Sequence, residues 1–292
     1  MLEEIIVNSK ELCAQHRSLV YWLDDKKRVG QPVLYLFRGN PEEWFAKPQE
    51  RQGRNIETVV EHLVELGYMR PFVIICPETN LTVDGRDCFT CAFDLAAPPD
   101  GENSGKYCRF FTEEYFPLIE KELFGDLATK RAVGGFSLGS LAAFTIGFHR
   151  YDLFSAISSY DGAFLYWNYD HPQGCGPDEN DLRLDWFPYW FGEPPELQAF
   201  LRQNPYSLLQ NAAGKRLHGL MRMKFFMHSS AERHVTANAW REEKMARGLV
   251  EAGCSLEFET ILLSPEAKHD WYWVDEHLYR LLPPLSTILW QR

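Results

Sequence analysis

Arg131 to Arg150 reads RAVGGFSLGSLAAFTIGFHR, and Gly135-Phe136-Ser137-Leu138-Gly139 inside it matches G-x-S-x-G. The flanking residues decide how the match is read. Ala132-Val133-Gly134-Gly135-Phe136 is a short strand-like run, and Leu141, Ala142, Phe144, Thr145, Ile146 and Phe148 continue as an apolar helix. Strand, tight turn and helix are the setting of a nucleophile elbow, which holds a serine clear of the strand that delivers it. A serine hydroxyl is a weak nucleophile at its own pKa, so it needs that presentation and a neighbouring base. Gly135 and Gly139 lack a Cβ, which lets strand and helix approach closely while Ser137 takes a strained turn. The N–H of Leu138, unpaired at the helix start, can face a developing oxyanion in the field of the helix dipole.

Outward from this stretch, buried strands and amphipathic helices alternate. Residues 2–8 and 17–23 read as leading strands, and the continuous apolar runs 32–37 and 72–76 as strands buried on both faces. Residues 55–66 carry Ile56, Val59, Val60, Leu63 and Val64 at helical spacing, and Gly67 stops them. A helix over 112–124 leads into the elbow strand. Strands at 154–158, 223–228 and 255–262, a helix over 235–252 and a last helix after Asp270 complete the series, while 78–110 reads as irregular. This alternation predicts a single α/β domain over 1–292, a doubly wound and mostly parallel sheet with helices on both faces. Residues 163–215 interrupt it with Tyr166, Trp167, Tyr169, Trp186, Phe187, Tyr189, Trp190 and Phe191 among prolines and glycines. They read as a cap insertion over the site.

The chain has 30 Lys and Arg against 41 Asp and Glu, a net charge of −11, which disfavours nucleic acid or an anionic membrane as partner. Its opening, Met1-Leu2-Glu3-Glu4, lacks the basic and apolar regions of a signal peptide, and no run of 18 apolar residues occurs, so a cytoplasmic protein is expected. Seven cysteines without regular spacing suit reduced thiols. Cys88 and Cys91 form one C-x-x-C, with Cys76 and Cys108 as further candidates, but the second tight pair of a structural zinc is missing. Neither metal nor cofactor is expected. Oligomeric state is left open, a homo-oligomer included.

A serine hydrolase of this architecture orders its triad Ser, acid, His, with each partner on a loop past the carboxyl end of a strand. The loop 229–234 offers Glu232, and 263–269 offers His269. His269 would take the serine proton and return it to the leaving group, and Glu232 would orient the imidazole. Asp161 is the competing acid, and His228 and His234 are competing bases. The loop after 32–37, Arg38-Gly39-Asn40, offers the Asn40 N–H as second oxyanion donor. Arg38 could bind an anionic group on the substrate or pair with one of the many carboxylates.

With these residues assembled, the chain resembles the putative-esterase (esterase D-like) family of α/β-hydrolases. The resemblance is carried by Leu34-Tyr35-Leu36-Phe37-Arg38-Gly39 with Trp44 downstream, Tyr115-Phe116-Pro117-Leu118-Ile119-Glu120, Gly134-Gly135-Phe136-Ser137-Leu138-Gly139-Ser140 and His269-Asp270-Trp271. It implies Ser137 as nucleophile, Glu232 as acid, His269 as base, and Asn40 and Leu138 as oxyanion donors. The chain departs from the family at three places: Arg38 stands where His or Asp often precedes the glycine, Glu232 where Asp is commoner, and Asp161-Gly162 where Ser-Gly is common.

The expectation is therefore a cofactor-free carboxylic ester hydrolase that works through an acyl-enzyme on a small-molecule ester. Arg38, Trp44, Asp161, Trp167 and Trp190 are candidate substrate contacts. Acyl transfer by the same triad and an inactive hydrolase fold used for binding are the alternatives.

Overall fold

The computed structural model describes residues 1–23, 30–83, 86–97, 103–167, 186–234 and 237–291. Its main sheet has the order β1-β2-β4-β3-β7-β8-β9-β10. β1 (Leu2–Ser9) and β2 (Ala14–Tyr21) form an antiparallel pair, and β2 also runs antiparallel to β4 (Val73–Pro77). From β4 onward β3 (Val33–Phe37), β7 (Arg131–Phe136), β8 (Ala156–Tyr160), β9 (Lys224–His228) and the two-residue β10 (Ser255–Leu256) are parallel.

Burial on both faces explains the apolar runs. Along β3, Val33, Tyr35 and Phe37 belong to one core while Leu34 and Leu36 belong to the other. The first core is closed by α4 (Leu138–His149), by α2 (Tyr107–Arg109) with the π-helical turn Phe110–Tyr115 and α3 (Phe116–Phe124), and by the cap segment. The second lies under α1 (Ile56–Glu65) and α10 (Trp271–Trp290). α4 is buried along nearly its whole length, so it shows no polar face in the sequence.

Several boundaries differ from expectation. β5 (Asn80–Val83) and β6 (Arg86–Phe89) pair antiparallel inside the stretch read as irregular. Strand β8 begins two residues later than expected, because Ala156 pairs with Ala132 and Tyr160 with Phe136. β10 stops at Leu256, and only an isolated bridge from Leu262 to Ser229 continues the pairing; Phe258 instead stacks on His228 with ring centroids 3.9 Å apart. The cap expected at 163–215 is described in part, as α5 (Phe187–Phe191), α6 (Leu197–Gln203) and α7 (Pro205–Gln210), with α8 (Gly214–Arg222) leading to β9; Tyr169 lies outside the described residues. α9 (Ala239–Glu251) covers the sheet between β9 and β10. Among the described residues no helix is long and apolar enough to cross a membrane.

Candidate active site

Ser137 stands between β7 and α4 with φ +57° and ψ −121°, a conformation that costs a non-glycine residue free energy and recurs at functional turns. Its surroundings enforce the turn. A Cβ on Gly135 would strike the Gly139 carbonyl, and one on Gly139 would strike the carbonyl of Phe37, so β7, β3 and α4 meet only because both positions are glycine. The Ser137 N–H donates to Tyr160 O at 3.1 Å, and its carbonyl accepts from Ala163 N at 3.0 Å. The elbow is thus tied to the end of β8 on both sides.

The next residue after β8 is Asp161, again with positive φ (+47°) and fully buried. Its N–H donates to His228 O at 2.8 Å, its Oδ1 accepts from Ser230 N at 3.0 Å, and its carbonyl accepts from Asn238 Nδ2 at 3.1 Å. Its remaining oxygen, Oδ2, lies 2.6 Å from Nδ1 of His269. A carboxylate accepts, so Nδ1 carries the proton and Nε2 is left as the basic nitrogen of the neutral ring.

His269 sits in the loop before α10. Its ring packs on Phe136, the residue preceding Ser137, with centroids 4.6 Å apart. Tyr160 Oη donates to the neighbouring Lys268 carbonyl at 2.6 Å, and Ala231 N donates to Ala267 O at 2.7 Å. Glu232, the acid expected from the sequence, does not reach the ring: its Oε2 accepts from the backbone N–H of His269 at 2.9 Å. Its loop springs from β9, one strand further from the elbow than Asp161, and its carboxylate is about one-third exposed (32%) where that of Asp161 is inaccessible.

The competing histidines lie elsewhere. His228 is buried against Phe258, its Nδ1 is 3.0 Å from Nδ1 of His277, and burial lowers its pKa to about 3. His234 is exposed and lies 3.9 Å from Glu232.

Among the oxyanion candidates, Leu138 opens α4, whereas the Asn40 N–H is engaged by Glu43 Oε1 at 3.2 Å. Trp44 and Trp190, expected as substrate contacts, are core residues. Trp44 is buried edge-on against Trp271, and Trp190 is buried in the cap with its Nε1 donating to Phe89 O at 2.7 Å. Trp167 packs on Phe200 and is only partly buried.

Two features escaped the sequence reading. Glu242 of α9 lies under the Asp161 turn, where its Oε2 accepts from Ser159 Oγ at 2.7 Å and Gly162 N at 2.5 Å. Burial, which outweighs these two hydrogen bonds, raises its pKa to about 8, with a smaller push from the charge of Asp161. Behind α10, Arg51 and Asp275 form a fully buried bidentate pair, with Nε–Oδ2 2.9 Å and Nη2–Oδ1 2.5 Å. Arg51 Nη1 also donates to the carbonyls of Glu43, Trp44 and Ala46. A charged residue at a core-facing helical position is the faint signal that Glu242 and Asp275 leave in the sequence. Among the described residues no group of three His, Cys, Asp or Glu side chains is arranged to hold a metal ion.

The sheet order, the glycine-flanked serine elbow and a histidine past the last strand define an α/β-hydrolase fold. The profile described as Putative esterase matches residues 15–224, and the chain belongs to that family, with a carboxylic ester hydrolase as its activity. Solved structures agree in fold. A ferulic acid esterase superposes with a TM-score of 0.71 at 20% identity, covering 99% of this chain and 98% of its own. An S-formylglutathione hydrolase from Agrobacterium tumefaciens gives 0.70 at 16%, covering 99% and 95%. A ferulic acid esterase from Anaeromyces mucronatus, solved with ferulic acid, gives 0.60 at 13%, covering 97% and 89%. No curated protein matches the sequence.

Proposed function

We propose that the chain cleaves its ester through an acyl-enzyme on Ser137, with His269 as base and Asp161, not Glu232, as the acid. The observation that carries this reading is the 2.6 Å contact of Asp161 Oδ2 with His269 Nδ1, made beside the Ser137 elbow. His269 Nε2 takes the Ser137 proton as Oγ attacks the ester carbonyl. The tetrahedral intermediate collapses by expelling the alcohol, which receives that proton from the imidazolium, and water repeats the sequence to release the acid. Asp161 keeps Nδ1 protonated and stabilises the imidazolium, which a buried carboxylate held by Ser230 N, on a residue whose backbone is tied at both its N–H and its carbonyl, does without moving.

The Leu138 N–H and the Asn40 N–H are the oxyanion donors of this reading. Asn40 serves once the substrate oxygen replaces Glu43 as its acceptor. The thiols of Cys76, Cys88, Cys108 and Cys254 are buried and free, which suits a reducing, cytoplasmic setting.

Intact mass after incubation with a neutral fluorophosphonate, followed by peptide mapping, tests the nucleophile. A single adduct on Ser137, absent from Ser137→Ala, is the expected result. Folded protein that stays unlabelled would overturn the assignment.

A further inference from the structure

Two buried arginines, Arg51 and Arg131, spend their guanidinium groups on protein acceptors, and Arg38 differs from both. Arg51 uses Nε, Nη1 and Nη2 on Asp275 and backbone carbonyls, and Arg131 places Nε and Nη2 on the two oxygens of Glu120, each at 2.6 Å. Arg38 is nearly as enclosed, with its side chain 17% exposed, yet it makes a one-point contact, Nε to Glu43 Oε2 at 3.1 Å. Its two Nη groups have no hydrogen-bond partner among the described residues, and neither is sealed from solvent. The forked edge that matches a carboxylate is therefore open.

The position of that edge is fixed. The guanidinium lies between two rings, with Cζ 5.0 Å from the centroid of Phe136 and 5.4 Å from that of Phe89. Phe136 immediately precedes Ser137 and carries His269 against the same ring. Phe89 ends β6 and meets Trp186 of the cap, with centroids 5.3 Å apart. Below the guanidinium, Thr79 holds the backbone, its Oγ1 donating to Arg38 O and its N–H to Gly39 O, and at Gly39 a Cβ would collide with Phe89 and Asn80. A cation over two aromatic rings, one of them on the residue that precedes Ser137, with its fork free, is a receptor for an anion.

We propose that Arg38 is the specificity residue of this site and that the esters it favours carry a carboxylate within reach of the scissile carbonyl. The inference rests on the Ser137 reading above. Such a substrate pairs its carboxylate with Nη1 and Nη2, while Glu43 retains Nε, and the two aromatic faces exclude water from the pair.

The test compares kcat/KM for esters matched in shape and differing in charge. Phenyl hydrogen succinate against phenyl methyl succinate places the charge on the acyl side, and 3-acetoxybenzoate against its methyl ester places it on the alcohol side. The expected result is that the anionic member of at least one pair is preferred, and that in Arg38→Gln the anionic-to-neutral ratio for that pair falls about 10- to 100-fold, the effect of losing one charge-assisted contact. Arg38→Lys, which keeps the charge without the fork, should fall in between and serves if the glutamine variant does not fold. No preference in the wild type, or an unchanged ratio in the variants, would overturn the proposal. Binding of succinate monoanilide, an uncleaved amide, to Ser137→Ala with and without Arg38→Gln reads the same contact without turnover. Loss of that binding supports the Arg38 site even if fluorophosphonate labelling refutes Ser137, and equal binding refutes it even if labelling succeeds.

Discussion

The loops after β8 and β9 each bring a carboxylate to His269, one to its ring and one to its backbone. Asp161 follows its strand directly, has a single methylene, and is pinned by Ser230, Asn238 and the His228 carbonyl. Glu232 lies further along its loop, is partly exposed, and holds the His269 N–H. The first contact decides tautomer and charge, while the second decides where the loop lies. The carboxylate that meets the imidazole is thus set by how directly it follows its strand and how little it can move, more than by its rank in the strand order.

Exchanging one carboxylate at a time breaks the comparison most sharply. Asp161→Asn should lower kcat on a short aryl ester by about 10⁴-fold, since the amide favours the wrong tautomer and leaves the imidazolium unbalanced. Glu232→Gln keeps an oxygen for the His269 N–H and should cost less than about tenfold, the effect of slight misplacement. Steady-state kinetics on both purified variants is the check, and the reverse order of effects would return the acid role to Glu232.

The next effect is on stability. Arg51 and Asp275 clamp the 43–46 segment to α10, whose first turn follows His269. Arg51→Met would leave a buried carboxylate without its counter-ion and should destabilise the fold by about 3–5 kcal/mol, whereas Arg51→Met with Asp275→Leu should recover most of the loss. Urea unfolding of the two proteins measures this. If the double variant also regains full activity per folded molecule, the Glu232, Tyr160 and Ala231 contacts suffice to hold the His269 loop.

The elbow and His269 were legible because local pattern determines them: two glycines around a serine, apolar runs on each side, and a histidine before a capped helix. Which carboxylate meets the His269 ring was not, because it turns on a register. With β8 at 154–158 Asp161 is a loop residue among others, and with Tyr160 opposite Phe136 it is the first residue out of the strand, beside the elbow. The β5–β6 pair was missed because its strands are four residues each and irregular in hydropathy. Trp44 and Trp190 show a different limit. Aromatic content says that large side chains will be buried, and only the packing says whether they line a cleft or fill a core.

The smallest effect concerns the support under Asp161. Burial pushes the Glu242 pKa from the usual 4.5 up to about 8, so the carboxyl is mostly protonated at pH 7. The folded chain therefore holds a proton that the unfolded chain releases above about pH 4.5, so this group's contribution to stability declines as pH rises from 4.5 to 8 and levels off beyond. Glu242→Gln keeps an acceptor for Ser159 and Gly162 and cannot ionise. It should lie within about 1 kcal/mol of the wild type at pH 6 and gain on it at pH 9, read from urea midpoints. Ionised Glu242 would also face the Asp161 charge across the turn that both share, with Ser159 and Gly162 as its only hydrogen-bond donors among the described residues. A fall in wild-type kcat above pH 8 that the glutamine variant lacks would show that this repulsion reaches His269. A fall shared by both proteins would limit Glu242 to stability and leave the triad geometry to Ser230, Asn238 and His228 alone.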